Sequence, residues 1–444
     1  MSHLPRAPRV ARAAYLAAVL IYFVAVVHRT ALGVAGVEAL ERFGTQATGL
    51  AVLSVAQVAV YAAMQIPAGH LLDRFGPQRV MVVGALLMAI GQAAMALTDS
   101  FALALLARVL LGMGDAPVFI SATRLIAAWF PPRRVPVLVQ VTGLIGQVGQ
   151  LATAIPVAWV LNQLGWTPAF AVLAGTGLVT AVVGALWVRM PAAGQVPSVT
   201  PPERLWVSVR AAVSVAGTRL GFWSHFLTPF SANVVVLLWG VPFFVTAQGQ
   251  SPAGASGLLV VLTISAMIAG PGAGVFTARH PLRRSWIVLA SAILTALAWA
   301  VLLSFSTPRP WWQLAVFCAV LGAGGPISLV GLDFARSWSS SSRLGVSTGY
   351  VNVGGFLSTV MGVLLVGLVL QLVSPPGAVT YSLDEYRLAF AALAVPWLVG
   401  LVGVLRSRRE ARAVMVGEGV VVPPIRDVVR RYRRGSGGSS DGSQ

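Results

Sequence analysis

The sequence predicts an all-α membrane protein of twelve transmembrane helices in two six-helix halves. Two observations support this fold class. Of the 444 residues, 57% are hydrophobic and only 10% are charged, which is too little charge to cover the surface of a soluble chain of this length. The apolar residues also fall into long blocks, and a helix needs roughly 20 consecutive apolar residues to cross the hydrocarbon of a bilayer.

Twelve blocks reach that length, and we number them spans 1 to 12. They cover residues 13–36, 47–69, 79–98, 101–122, 136–160, 169–189, 219–245, 254–277, 285–305, 312–333, 346–371 and 388–405. The pattern of an outer-membrane barrel, with alternating segments of about ten residues, is absent from the sequence.

The longest interruption in the hydrophobic pattern divides the spans six and six. The predicted organisation is an N-terminal segment 1–12, a first half 13–189, a Pro-rich polar linker 190–217, a second half 218–406 and a basic tail 407–444. The tail closes with GSGGSSDGSQ, a composition that predicts disorder over part of it.

The distribution of positive charge predicts the orientation of the chain. The net charge is +18, and all 31 basic residues are arginine. Most of them lie in alternate short loops and near the two ends of the chain, which argues against a nucleic-acid partner. Because basic loops stay in the cytoplasm, we predict a multi-pass protein of the cell inner membrane with both termini cytoplasmic. We expect a monomer whose basic tail contacts anionic lipid.

The loop after span 2 carries a motif that can act as a gate. It reads GHLLDRFGPQR from Gly69 to Arg79. Gly69 and Gly76 permit a tight turn, and Asp73 can lie near the positive N-terminal end of a helix in the other half. With Arg74, these are the candidate gate residues.

This motif closely resembles the G-x-L-x-D-R-x-G-x-x-R signature of the major facilitator superfamily, and it falls between spans 2 and 3, where that family has it. Span 4 carries Arg108, Gly112 and Gly114, similar to a second family motif, R-x-x-x-G-x-G. The segment GWTPAF at Gly165–Phe170 resembles the family's G-W-R-W-A-F. The resemblance implies the major facilitator type of fold, alternating access, and a latch in which Asp73 docks at the start of span 11.

A segment of span 1, HRTALGVA from His28, is similar to a pattern in the anion:cation symporter and organophosphate antiporter branch of that family. In the organophosphate exchangers an arginine of this helix contacts the substrate phosphate, and the matching residue here is Arg29. Span 5 lacks the G-P pair that marks drug:proton antiporters. The resemblance therefore implies a secondary transporter, such as a symporter, for a small organic anion.

Charged residues at membrane depth are costly, so each one is a functional candidate. Arg29 lies beyond the midplane of span 1 at a rise of about 1.5 Å per residue. Arg108 and Asp115 are seven residues apart in span 4 and share one helix face. Arg29 could contact the substrate, or it could pair with Glu38 or Glu41. Asp115 could carry a proton or brace spans 1 and 4.

Polar residues in three further spans complete the predicted cavity. Gln57 and Tyr61 follow helical spacing in span 2, Asn233 lies in span 7 and Asn352 in span 11. The sequence shows no phosphate-binding loop, nucleotide-binding domain or metal-ligand cluster. We therefore predict no enzyme activity, no catalytic or metal-binding residues and no cofactor, and we expect a proton or ion gradient to drive transport.

Three functions stay open on the sequence alone. The leading one is a gradient-driven transporter of a small solute, with an organic anion as the favoured class. The second is a drug/proton antiporter that exports amphipathic compounds. The third is a transporter-like membrane sensor that binds a solute without net flux.

Overall fold

The computed structural model describes residues 9–45, 47–191, 204–375 and 380–420. These residues are helical apart from short connections, and they contain no strand. Ten of their helices are long and apolar enough to cross a membrane by length and composition. One of them, Val52–Leu97, has 46 residues, and its length of about 69 Å is more than twice the thickness of the hydrocarbon. It therefore supplies spans 2 and 3 together.

Spans 2 and 3 meet at a bend at Gly76. Its φ of 78° and ψ of 165° are non-helical, within a segment that is otherwise helical from Ala47 to Leu97. A residue with a Cβ atom rarely adopts this φ, whereas glycine does so without strain. The sequence predicted a loop over 70–78, and the structure replaces most of that loop with helix.

Span 5 is interrupted in its second half. It consists of the helix Val135–Ala152, a π-helical turn Thr153–Val157 and the helix Ala158–Leu164. The turn contains Pro156, which has no amide hydrogen to donate to the helix and so favours a local widening. With span 5 and the bend at Gly76 counted, the described residues supply the twelve predicted spans.

The remaining spans follow the predicted order with shifted ends. They are Arg9–Val34, Phe101–Trp129, Trp166–Trp187, Ala216–Ala247, Pro252–Arg279, Pro281–Ser304, Trp311–Trp338, Ser341–Val373 and Leu383–Gly417. Two short helices, Gly36–Arg42 and Leu205–Ser214, lie in connections.

Several segments predicted between or beyond the spans are partly helical. Span 1 already begins at Arg9, and span 12 continues to Gly417, so the first residues of the predicted tail belong to a helix. The linker 190–217 contains the helix Leu205–Ser214 and the start of span 7. Residues 192–203 and the closing GSGGSSDGSQ lie outside the described residues.

One end of the bundle carries most of the arginines. Span 1 begins and span 12 ends there, and so do the connections between spans 2 and 3, 4 and 5, 8 and 9, and 10 and 11. Their arginines include Arg74, Arg79, Arg133, Arg134, Arg279, Arg283 and Arg343. We call this the basic end and the other the opposite end.

Each half packs around an apolar core of its own. Buried side chains of spans 1 to 6, such as Ile21, Met88 and Phe170, form one cluster, and those of spans 7 to 12, such as Phe243 and Phe390, form another. In lipid the spans associate by close packing and interhelical hydrogen bonds, not by the hydrophobic effect. Close packing and hydrogen bonds between the two halves therefore decide which parts of the cleft are closed, and one buried cluster, which includes Val139 and Leu332, crosses between them.

Candidate functional site

An ion pair between Arg29 and Asp115 joins spans 1 and 4. Arg29 Nε donates to Asp115 Oδ2 at 2.6 Å, and Nη2 donates to Oδ1 at 2.8 Å. The Asp115 side chain is 1% exposed and that of Arg29 is 26% exposed. Two parallel charge-assisted bonds offset part of the cost of burying the carboxylate. Arg29 thus pairs with Asp115, and neither Glu38 nor Glu41 is its partner.

Aromatic rings connect this ion pair to the second half. The Tyr61 ring lies 4.5 Å from Arg29 Cζ, a cation–π contact. Tyr61 in turn meets Phe356 of span 11, with ring centroids 5.0 Å apart and planes at 63°. Arg29 is therefore separated from the second half by a single side chain, so the ion pair lies at the cleft between the halves. Phe356 was not a sequence candidate, because an aromatic residue in an apolar span gives no signal beyond packing.

The guanidinium of Arg29 has a second edge beyond the one that holds Asp115. Nε and Nη2 donate to the carboxylate, while Nη1 donates to no partner among the described residues. Guanidinium groups bind carboxylate, sulfonate or phosphate oxygens through such an edge. Asp115 and Tyr61 hold the group in place, so the edge is presented in a defined orientation.

Two other predicted cavity residues are buried in this conformation. Arg108 is 3% exposed, and its Nε donates to the carbonyl oxygen of Leu53 in span 2 at 3.2 Å. Gln57 is 1% exposed, and neither of its amide atoms has a hydrogen-bond partner among the described residues. Arg108 lies on the same helix as Asp115, but its side chain is buried against span 2 and does not line the cleft.

Spans 2 and 11 meet along one stripe of span 2 that runs from the ion pair to the basic end. Tyr61, Gln65, Gly69 and Asp73 recur every four residues, so they lie on one helix face. Gln65 Oε1 accepts a hydrogen bond from Nδ2 of Asn352 at 2.7 Å. A Cβ atom on Gly69 would overlap the backbone of span 11. The stripe closes the cleft over about 18 Å of helix.

Asp73 ends this stripe with the predicted contact to span 11. Its Oδ1 accepts from the amide of Gly345 at 2.8 Å, and its Oδ2 accepts from the amide of Val346 at 2.9 Å. Arg124 of span 4 pairs with the same carboxylate. The first amides of a helix lack partners within the helix, and a carboxylate there also meets the positive end of the helix dipole. The structure confirms that Asp73 docks at the start of span 11.

The other residues of the gate motif have separate positions. Gly76 makes the bend described above. Arg74 and Arg79 are exposed, and Arg74 lies over the Phe75 ring with 5.1 Å between Cζ and the ring centroid. No described contact joins either arginine to the second half.

A second seam between the halves lies on the other side of the basic end. Gln140 of span 5 donates to the carbonyl oxygen of Pro326 in span 10 at 2.8 Å. Between the two seams lies a cavity of about 20 Å³, lined by Arg124 and Arg336 among others, with room for about one water molecule. The basic end is thus closed in this structure.

Asn233, the predicted cavity residue of span 7, bonds within the second half. Its Nδ2 donates to Oγ1 of Thr359 in span 11 at 3.0 Å. No described contact joins Asn233 to Arg29 or Asp115. The structure therefore brings Arg29, Asp115 and Tyr61 together. Asn352 contacts the same stripe of span 2 closer to the basic end, through Gln65. Asn233 is not part of this group.

Curated relatives of this chain are transporters by name. The probable sulfoacetate transporter SauU of Cupriavidus necator is 30% identical over 159 residues, 36% of this chain and 37% of SauU. The probable galactarate/D-glucarate transporter GudP of Escherichia coli K12 is 22% identical over 382 residues, 77% of this chain and 83% of GudP. The probable L-galactonate transporter of the same strain is 34% identical over 129 residues, 28% of each chain. The SauU match thus spans little more than a third of that relative, and the L-galactonate match spans less than a third.

Solved structures show the same fold at low sequence identity. FucP in its outward conformation superposes with a TM-score of 0.67 at 14% identity, over 89% of this chain and 99% of that one. The human organic anion transporter MFSD10 (TETRAN) gives 0.66 at 16% identity, over 89% and 100%. Residues 18–284 match the family model described as Major Facilitator Superfamily. As the motif after span 2 predicted, the chain belongs to the Major Facilitator Superfamily.

Proposed function

We propose that this protein is a secondary transporter that carries a small organic anion across the bilayer by alternating access, driven by a proton or ion gradient. The observation that carries the proposal is the free edge of the Arg29 guanidinium at the cleft between the halves. The relatives named above are called transporters of sulfoacetate, galactarate, D-glucarate and L-galactonate. These solutes are all carboxylate or sulfonate anions, the chemical groups that such an edge binds.

Asp115 supplies a means of coupling transport to protons. When Asp115 is ionised, its charge offsets that of Arg29, and the sum over Arg29, Arg108 and Asp115 is +1. Protonation of Asp115 releases Arg29 from its counter-ion and raises the sum to +2. An anion is attracted more strongly in that state, and charge interactions are large in a site of low dielectric. By linkage, bound anion then favours proton uptake by the same factor.

The conformation supports an outward-facing state. The two seams close the basic end, while the side chain of Arg29 is 26% exposed. The positive-inside rule assigns the basic end to the cytoplasm, which gives an inner-membrane protein with cytoplasmic termini that binds its solute from outside. Opening toward the cytoplasm then requires the stripe from Tyr61 to Asp73 to separate from span 11.

The proposal is tested with purified protein in liposomes, using labelled D-glucarate, L-galactonate and sulfoacetate with imposed pH gradients. Apparent affinity is measured for a sugar acid and for the neutral polyol of the same carbon chain. Arg29→Gln should weaken binding of the acid about 10- to 100-fold, the value of one charge-assisted hydrogen bond, and should leave the polyol little changed. Arg29→Lys retains the positive charge but lacks the planar set of guanidinium donors. Its affinity for the acid should therefore lie between those of the wild type and Arg29→Gln.

The matched control removes an arginine ion pair outside the cleft. Arg42 pairs with Asp99 at 2.8 Å at the opposite end, and Arg42→Gln should not alter the preference for the acid. Arg29→Gln combined with Asp115→Asn avoids leaving a buried unpaired carboxylate, so it separates binding from folding. An equal loss for acid and polyol would remove Arg29 from the binding site. Flux of amphipathic cations alone would support the antiporter, and saturable binding without flux would support the sensor.

A further inference from the structure

The helix Leu205–Ser214 lies between the two halves of the chain and packs against span 7, span 11 and the helix Ala47–Leu97, which supplies spans 2 and 3. Its inner face consists of Ser208 and Ala212, four residues apart, which are 5% and 2% exposed. Small side chains at this spacing let the helix lie close to the spans beneath it. The helix is thus a docked element of the fold and not a free connection.

The outer face of this helix combines apolar and basic side chains. Trp206 is 76% exposed and Val207 is 52% exposed. Arg204 and Arg210 are also exposed, and Arg210 lies one turn from Trp206 on the same face. Tryptophan prefers the boundary between lipid and water, and arginine beside it is attracted to anionic headgroups. This composition is typical of a helix that lies in the membrane interface.

Chain continuity places the helix at that interface. A single residue, Val215, separates its end from Ala216, where span 7 begins. Arg219 of span 7 caps the helix: its Nη1 donates to the carbonyl oxygens of Val213 at 2.9 Å and Ser214 at 2.6 Å. Carbonyl groups at a helix C-terminus lack partners within the helix, so such caps hold the helix end.

The same arginine ties the helix to span 12. Arg219 Nη2 donates to Oε2 of Glu410 at 2.6 Å. The helix is therefore fixed to the second half through spans 7 and 12, while it also touches the helix Ala47–Leu97 of the first half. When spans 2 and 11 separate at the basic end, the helix must move with the second half and lose its contacts with the helix Ala47–Leu97.

We propose that Leu205–Ser214 binds anionic phospholipid headgroups at the basic end and that this binding stabilises the closed state of the basic end. Arg204 and Arg210 supply the charge complementarity, and Trp206 anchors the helix in the interface. The gating part of this proposal rests on alternating access, whereas the lipid contact stands without it.

The lipid contact is tested with a probe on the helix. Cys318 is the only cysteine and is buried, so Cys318→Ser gives a background for single labelling. Val207→Cys, at a position that is 52% exposed and leaves Trp206 in place, is labelled with an environment-sensitive fluorophore in nanodiscs of phosphatidylcholine, with or without phosphatidylglycerol. Trp159→Cys is the matched control, because Trp159 is 61% exposed and lies near the opposite end of span 5.

The probe at position 207 should shift to the blue when phosphatidylglycerol is added, and Arg204→Gln with Arg210→Gln should abolish the shift. The probe at position 159 should respond equally to both lipids. No shift at 207, or the same shift at 159, would overturn the lipid contact.

Gating is measured as the alkylation rate of Val346→Cys in the Cys318→Ser background, since Val346 is fully buried at the closed latch. An arginine near an anionic surface contributes about a fivefold factor, so phosphatidylglycerol should slow alkylation by up to about 30-fold. The variant with Arg204→Gln and Arg210→Gln should lose this slowing.

Arg133→Gln with Arg279→Gln removes two other exposed arginines of the basic end and should keep the slowing. If slowing persists without Arg204 and Arg210, or disappears in the control, the helix does not mediate the lipid effect. None of these measurements needs a transported solute, so their failure is distinct from a failure of the proposed function.

Discussion

Replacement of Asp73 by asparagine should open the basic end. The carboxylate accepts from the amides of Gly345 and Val346 and pairs with Arg124. An asparagine offers one oxygen, so at most one of the two amide bonds survives, and its NH₂ group would face the other amide donor. Arg124 also loses its counter-ion. The losses at the two amides fall on the closed state, because Asp73 meets span 11 only when the halves are together, whereas the pair with Arg124 lies within the first half and exists in both states.

The size of the effect follows from the burial of these groups. The side chains of Asp73 and Arg124 are 8% and 14% exposed, so solvent screens their interaction little. A hydrogen bond to a charged group contributes about 1.5–3 kcal/mol, and a carboxylate at a helix start about 0.3–1 kcal/mol. Loss of one amide bond and of the negative charge at the helix start therefore amounts to ~3 kcal/mol, or roughly a 100-fold change in the ratio of closed to open protein.

The assay is the alkylation rate of Val346→Cys in the Cys318→Ser background, measured with a reagent that reacts only when the latch opens. Val346 is 0% exposed, so the rate follows the open fraction if the latch opens and closes faster than the thiol reacts. Asp73→Asn should raise the rate by up to roughly 100-fold, in line with ~3 kcal/mol.

The control is Asp99→Asn, the same chemical change at the opposite end. Asp99 is 78% exposed and pairs with Arg42, and its replacement should leave the alkylation rate unchanged. A rate in Asp73→Asn equal to that of the parent, with the protein still folded by thermal unfolding, would refute the latch as the element that holds the basic end closed.

Two further predictions concern the coupling site and the stripe. Asp115→Asn retains hydrogen-bonding ability and removes the titrating group, so uptake should lose its pH dependence while solute exchange survives; unchanged pH dependence would place the proton site elsewhere. Gly69→Ala puts a Cβ atom against the carbonyl oxygen of Gly345 and should raise the reactivity of the same reporter cysteine. Gly272→Ala, where no atom lies within 4 Å of the added Cβ, should have no effect, and an equal response of both variants would contradict close packing of the stripe.

The spans could be predicted from composition because each helix in lipid must satisfy its own backbone hydrogen bonds. The length of an apolar block is therefore enough to predict a membrane span, whatever helices lie next to it. The bend at Gly76 and the π-helical turn in span 5 were not predicted in detail, since both are local departures within apolar segments. The contact of Asp73 with span 11 was predicted from the motif that surrounds it and from the charge at a helix start.

The partners of the other buried charges were decided by tertiary structure. The sequence determined that Arg29, Arg108 and Asp115 lie at membrane depth, and helix periodicity placed the last two on one face. It left Arg29 with Glu38 or Glu41 as possible partners, and only the packing of span 1 on span 4 selected Asp115, 86 residues away. The packing of span 4 on span 2 likewise directed Arg108 to the carbonyl oxygen of Leu53. Pairing between spans depends on the register and crossing of neighbouring helices, which side-chain packing across the whole bundle sets.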